Sequence, residues 1–272
     1  MKFKKAAAGD VLDQAKPPVL DLTRINFSSI STWLRCGRQY KFRYIESKKE
    51  PPKIALLEGS SHHAALEMNN LHKQKRGFDL KAAVLTDKFM EELRGRIKET
   101  ENLNWQEESE DGLFERGTIW HKEYINKFAP AIAPDIVEEK FEKQVKLNGK
   151  DLVISGVVDL GYGKKVSDYK TTSAYGFNTK KKSIDHDLQM SFYSWATGRK
   201  QVGNICFVKK SVPEVGALQS SRDAKQILWA LSVAGEVVKA IEAGIFPMTD
   251  PTSWVCQELY CGYYNICRGS HK

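Results

Sequence analysis

The sequence predicts a mixed α/β protein, with a central mixed β-sheet flanked by helices and a helical insertion in its N-terminal half. Three observations predict it. Residues 59–129 carry helical patterns almost throughout. From Ile136 to Thr171 the pattern changes to short runs rich in Val and Ile, separated by turn residues. From residue 184 onward, amphipathic helices alternate with a short strand. Helices first, then strands with helices between them, is the order expected of that class. The 272 residues suffice for one large domain, 1–272, with an insertion over 64–132.

Taken in order, residues 1–26 are polar and are expected to form a loose lead-in. Ser28 or Ser29 can cap a helix carrying Ile30, Trp33 and Leu34, and Pro51-Pro52 ends that unit. A second helix is expected from about Gly59 to Lys75, and a third over 79–98. Asn102 to Gly112 is polar and acidic, a loop. In the helix over 113–129, Trp120, Tyr124 and Phe128 recur at i, i+4, i+8, a stripe best explained as core packing. Ile136–Leu147 and Leu152–Leu160 read as strands, Gly161–Lys164 as a turn, and Lys165–Thr171 as the next strand. A helix over 184–198 places Leu188, Phe192 and Trp195 on one face. Asn204–Lys209 is a short strand. A helix over 223–243 carries Ile227, Leu231, Ala234, Val238 and Ile241 on one side, and Gly244 ends it.

The charge balance is +8, which favours a polyanionic partner such as nucleic acid. The basic residues are dispersed, and each run alone is best explained as a solvated face. No stretch approaches the roughly 18 apolar residues of a membrane span. The basic start, MKFKKAAAGD, has no apolar segment of a signal peptide, so a cytoplasmic location is expected, or the host cytoplasm for a viral protein. Five cysteines without a secretion signal argue against a disulfide framework. Three of them, Cys256, Cys261 and Cys267, fall within twelve residues, a metal-site pattern.

The stretch that carries chemistry is Ile154–Asp159 followed by Val166–Thr171. Asp168 and Lys170 are two apart and share a strand face. If Gly161 and Lys164 close a hairpin, Asp159 lies opposite Val166 and Asp168 opposite Val157. The two acids then become diagonal neighbours, roughly 7–8 Å apart at the backbone. Converging carboxylates can hold a hard cation such as Mg²⁺ or Mn²⁺, which polarises a phosphate and acidifies a bound water. Lys170 could position that water or stabilise the charge on the pentavalent phosphate. From the hairpin alone, a strand-end aspartate beside a surface Asp/Lys pair is an equally good account.

Five segments in order resemble the RecB-like branch of the PD-(D/E)XK nuclease superfamily, which includes Cas4-like and Exo5-like exonucleases. They are Ser31–Cys36 with Gln39–Tyr44, Gly59–Glu67, Gly156–Asp159, Asp168–Thr171 and Gln189–Tyr193. The resemblance implies a restriction-endonuclease-like sheet. It implies His63, Asp159, Asp168 and the carbonyl of Tyr169 as ligands of Mg²⁺ or Mn²⁺, with His62 a bystander. It also implies catalytic roles for Asp159, Asp168, Lys170, Gln189 and Tyr193. Gln189 and Tyr193, at i, i+4, could hold DNA or the lysine.

Members of this branch often carry a four-iron four-sulfur (4Fe-4S) cluster on one N-terminal and three C-terminal cysteines. Here that implies Cys36, Cys256, Cys261 and Cys267, with the segment 254–269 closing onto Cys36. Four residues separate Cys256 from Cys261 where the family has two, so Cys256 departs from the pattern. Zinc is the competing metal, and Cys206 is expected to be an inert core thiol. The function implied is a Mg²⁺- or Mn²⁺-dependent DNA exonuclease acting on single strands or free ends, in recombination, repair or phage DNA metabolism. A structure-specific endonuclease of the same fold, and a DNA-binding assembly module with a vestigial site, are the alternatives. The chain has no Walker A motif, so any unwinding is expected from a helicase or repair partner.

Overall fold

The computed structural model describes residues 22–268. Most of the expected lead-in and residue 269 of the cysteine segment lie outside them. A six-stranded mixed sheet has the order β1-β3-β4-β5-β6, with β2 paired to β3. Its strands are β1 (Arg24–Asn26), β2 (Ile136–Leu147), β3 (Lys150–Tyr162), β4 (Lys165–Ser173), β5 (Gln201–Lys209) and β6 (Glu214–Ser221). The pairs β1/β3 and β4/β5 are parallel, and β2/β3, β3/β4 and β5/β6 are antiparallel.

The end of the lead-in is therefore a strand. Arg24–Asn26 pairs with Val153–Ser155, a long-range contact that a three-residue polar segment does not advertise. It runs directly into α1 (Phe27–Arg35), capped by Asn26 rather than Ser28 or Ser29. The Asn26 side chain accepts from the Ser29 N–H, and Ser29 returns the bond to the Asn26 N–H, a reciprocal capping box. Cys36 then breaks the helix in an extended conformation before α2 (Gly37–Tyr40).

The helical block comprises α3 (Ile54–Arg76), α4 (Ala82–Lys98) and α5 (Glu110–Lys127). α3 starts five residues before Gly59, and α5 starts inside the expected loop because Ser109 caps it. As expected of a core stripe, Trp120 and Tyr124 are fully buried, in one cluster with Leu66, Leu160, Tyr169 and Phe207. The block thus covers one face of the sheet. The other face carries α7 (Leu188–Thr197) and α8 (Ala224–Glu242). Between β4 and α7 lies α6 (Ala174–Ser183), which the periodicity did not indicate because it buries no residue. β6 was also missed. The expected helix over 184–198 is a single 3₁₀ turn, Ile184–His186, and then α7, which Asp187 caps and Gly198 ends in a left-handed conformation.

The β2–β3 turn is Asn148-Gly149, both at positive φ, the two-residue geometry that matches strand twist. The β3–β4 hairpin corrects the expected register by two residues. Gly161 and Tyr162 belong to β3, and Tyr162 pairs with Lys165, Gly161 with Val166 and Leu160 with Ser167. The tip is Gly163-Lys164, with Gly163 at φ +56, so the turn is tighter than the composition suggested. That slip places Asp159 across from Asp168 rather than diagonal to it. Pairing ends at Leu160, and beyond it the two strands part.

Candidate active site

The parting of β3 and β4 opens the site. Where the ladder would continue, the Asp159 carboxylate takes its place, and Oδ2 accepts the Tyr169 N–H at 3.0 Å. Asp159 and Asp168 are both buried, 6 % and 1 % exposed. Lys170, on the Asp168 face of β4, places Nζ 2.6 Å from Asp168 Oδ2. From α7, the Gln189 amide donates to Asp168 Oδ1 at 2.6 Å and to the Tyr193 hydroxyl at 3.0 Å. That hydroxyl bridges the two acids, 3.3 Å from Asp159 Oδ1 and 3.4 Å from Asp168 Oδ1.

α3 delivers His63 from the opposite face of the sheet. Gly59, one turn earlier, lets the helix approach β4, since a Cβ there would meet Thr171 Oγ1 at 3.3 Å. His63 Nε2 lies 2.9 Å from the Tyr169 carbonyl. A carbonyl only accepts, so Nε2 carries a proton. Nδ1 faces two carboxylates, Asp159 at 3.5 Å and Glu138 at 3.6 Å. The sequence-predicted site residues of α3, β3, β4 and α7 therefore all meet, and His62 turns away into the core beside Phe89 and His121.

Sequence reasoning missed Glu138. It sits across β2/β3 from Asp159, between the pairs Val137–Leu160 and Glu139–Val158, at φ +46 within a strand. A non-glycine residue in that region is strained. In sequence it is one of several charges in Ile136–Leu147, and only the register singles it out. His63, Glu138 and Asp159 offer ligand atoms all within 4.8 Å of one another. Two further supports were not legible. Asn70 donates to the Tyr169 hydroxyl at 2.9 Å, and the Tyr124 hydroxyl lies 2.8 Å from it. The helical block thereby holds the residue whose carbonyl faces His63.

Electrostatics follow from this crowding. Burial, and then the charge of Asp168, push Asp159 up to about 7. Burial pulls His63 down, but Glu138, Asp159 and Asp168 outweigh it and raise the imidazole to about 9. Burial also opposes the Lys170 ammonium, yet Asp168 and Asp159 hold it above its ordinary value. Burial and the two acids raise the Tyr193 phenol far above its usual range, so it stays a donor. The cluster thus gathers three carboxylates and balances them with a protonated imidazole and a lysine. A hard divalent cation suits these oxygen ligands and would remove the need for the imidazolium.

A buried ion cluster fixes α3 beside the site. Glu58, fully buried, accepts two bonds from Arg116 of α5, at 2.9 and 2.7 Å, and pairs with Lys209 of β5. Glu108 adds a second carboxylate, 2.9 Å from Arg116 and 3.6 Å from Lys209.

Cys36, Cys256, Cys261 and Cys267 line one pocket between the α1–α2 break and the C-terminal segment. Burial opposes the Cys36 thiolate, but donors at Thr249, Gln39 and Arg38 outweigh it and lower the thiol. Arg268 donates to Cys256 Sγ at 3.2 Å. Burial and the neighbouring sulfurs raise Cys261 and Cys267. Among the described residues only His63, Glu138 and Asp159 form a potential ligand group within 4.8 Å. No three of the four sulfurs therefore lie within 4.8 Å of one another. Cys206 is apart from them, buried in the core, where burial pushes its thiol up to about 11.

Three solved structures are similar to the chain at low identity. SSO0001 is 14 % identical over 94 % of this chain and 90 % of its own, with a TM-score of 0.44. A candidate exonuclease from Eubacterium rectale is 12 % identical over 87 % and 88 %, with a TM-score of 0.48. Candida albicans Rai1, solved with pU5 and Mn²⁺, is 9 % identical over 91 % and 84 %, with a TM-score of 0.26. No curated protein matches the sequence significantly. No helix among the described residues is long and apolar enough to cross a membrane. The sequence profile of the PD-(D/E)XK nuclease superfamily matches residues 24–268, spanning the mixed sheet and every residue of the acidic cluster, and the chain belongs to that superfamily.

Proposed function

We propose that the protein is a Mg²⁺- or Mn²⁺-dependent deoxyribonuclease of the RecB-like branch, acting on single strands or free ends. The observation that carries this is the convergence of Asp159, Asp168 and Lys170 with His63 at the point where β3 and β4 part. Asp159, Asp168, His63 and the Tyr169 carbonyl would hold the metal, with Glu138 beside them. The metal supplies a polarised phosphate and an acidified water. Lys170 stays charged next to Asp168 and stabilises the charge that develops on the phosphate. Tyr193 and Gln189 keep the two carboxylates oriented, since each donates into the pair.

The four cysteines are read as ligands of a 4Fe-4S cluster that clips the N-terminal and C-terminal segments together. The same two segments also touch directly: Lys53 donates to the Leu259 and Tyr260 carbonyls, and Tyr263 to Lys48. The clip therefore reinforces an existing contact.

End-labelled linear DNA, incubated beside a closed single-stranded circle with Mg²⁺, Mn²⁺ or EDTA, tests the activity. Linear DNA is expected to shorten from an end with metal and persist with EDTA. Rapid cutting of the circle would favour the endonuclease reading. Asp168→Ala and Lys170→Ala are each expected to lower the rate at least 100-fold. Wild-type cleavage by both would remove the site assignment.

A further inference from the structure

The sheet has a notch beside the acidic cluster. Along one edge, β2 pairs with β3 from Lys150 to Gly161. On the opposite edge, β1 pairs with Val153–Ser155 and β4 with Leu160–Tyr162. Between these stretches Gly156–Asp159 have no strand partner on that edge among the described residues. Four residues at about 3.3 Å each leave a gap of roughly 13 Å. One end of the gap is the start of α1, and the other is Asp159.

A cavity of about 490 Å³ opens into this gap. That size lies in the ~300–1,000 Å³ range of small-ligand sites and is far too small for a duplex. The rings of Phe27, Tyr44, Phe141 and Phe192 line it. Gln189 and Tyr193 line it too, and both also bond the catalytic-cluster acids. Gln189 and Tyr193 therefore stand between the cavity and the cluster and touch both. Gly156 keeps the cavity open in a specific way. A Cβ there would come within 2.7 Å of the Phe141 ring, so the missing side chain lets that ring lie across the strand. Exposed Lys140 stands at the rim and adds a cation.

We propose that this notch is a nucleobase pocket, which receives the unstacked base of a nucleotide flanking the scissile phosphate and so selects a single strand over a duplex. The proposal rests on the nuclease reading for the position of that phosphate. Aromatic walls suit any base, because every base has a π-face. The free N–H and C=O groups of the β3 edge can meet a base edge that has lost its Watson–Crick partner. A base still paired in a duplex would bring its partner strand into the walls. The pocket therefore requires a base to be present and unpaired, but not a particular base.

The test walks one abasic site along a single-stranded oligonucleotide. Cleavage is measured with Mn²⁺ and binding with Ca²⁺, for the wild-type protein, Tyr44→Ala and Tyr44→Phe. One abasic position is expected to weaken the wild-type protein and Tyr44→Phe by about 5- to 100-fold, the range of one base–aromatic stack. Tyr44→Ala is expected to weaken the intact strand similarly and to lose the abasic penalty. A wild-type protein indifferent to every abasic position overturns the pocket, as does a penalty that survives Tyr44→Ala unchanged. Metal-dependent cleavage with no abasic penalty removes the pocket and keeps the nuclease. A binding penalty without any cleavage removes the nuclease and keeps the pocket.

Discussion

Loading the acidic cluster with Mn²⁺ should expel protons, and the number should fall as pH rises. Without metal, Asp159 titrates near 7 and His63 near 9. At pH 6 both groups are then protonated almost completely; at pH 8 only His63 is. Metal ligands must be a carboxylate and a neutral imidazole, so binding releases about two protons at pH 6 and about one at pH 8. The same shifts have a stability sign. Both folded-state values lie above the unfolded ones, so both groups contribute stability that is fully present at low pH. That contribution disappears as pH rises through about 7 and then about 9. The metal-free protein should therefore lose stability from this cluster over that window, and Mn²⁺ should raise its Tm more at pH 8 than at pH 6. Calorimetric titration of Mn²⁺ in buffers of different ionisation enthalpy counts the protons directly. His63→Ala should remove the imidazolium's share of the release, while Asp159, no longer held down by that charge, titrates higher and supplies what remains at pH 8. Equal or greater release at pH 8 than at pH 6, or none at either, would refute the assignment of these two residues as exchanging protons for metal.

Two further outcomes are expected. Glu58→Ala strips the buried partner from Arg116 and Lys209. Breaking a buried pair costs about 3–5 kcal/mol, and the remaining Glu108 should reduce this to about 2–4 kcal/mol, read from the urea midpoint. A loss below about 0.5 kcal/mol would mean the cluster does not hold α3. Protein purified anaerobically should be brown and contain iron, and Cys36→Ser or Cys267→Ser should lower solubility and visible absorption together. Zinc without iron in metal analysis would sink the iron–sulfur assignment.

Much of the site was legible because its chemistry is local. Asp168 and Lys170 share a face through the strand period of two, and Gln189 and Tyr193 through the helical i, i+4 spacing. Both relations hold in the structure. Helices α5 and α8 followed from periodic burial, since Trp120, Tyr124, Leu231, Ala234, Val238 and Ile241 are all buried. α6 left no such trace, having no fully buried residue and only Ala174 and Phe177 packed against the core. β1 was too short and polar to read as a strand until its partner was known.

By itself the sequence determined the fold class, the order of the motifs and which side chains share a strand or helix face, because these depend on spacing along the chain. Tertiary structure alone decided the rest. It set the hairpin register that puts Asp159 across from Asp168, and brought strained Glu138 to His63. It also gathered Cys36 with three cysteines more than 200 residues away, and left a gap in the β3 edge next to Asp159. The physical reason is common to all four. Each depends on how separate segments pair and pack, and that arrangement is settled by the burial of the whole core rather than by any local run of residues.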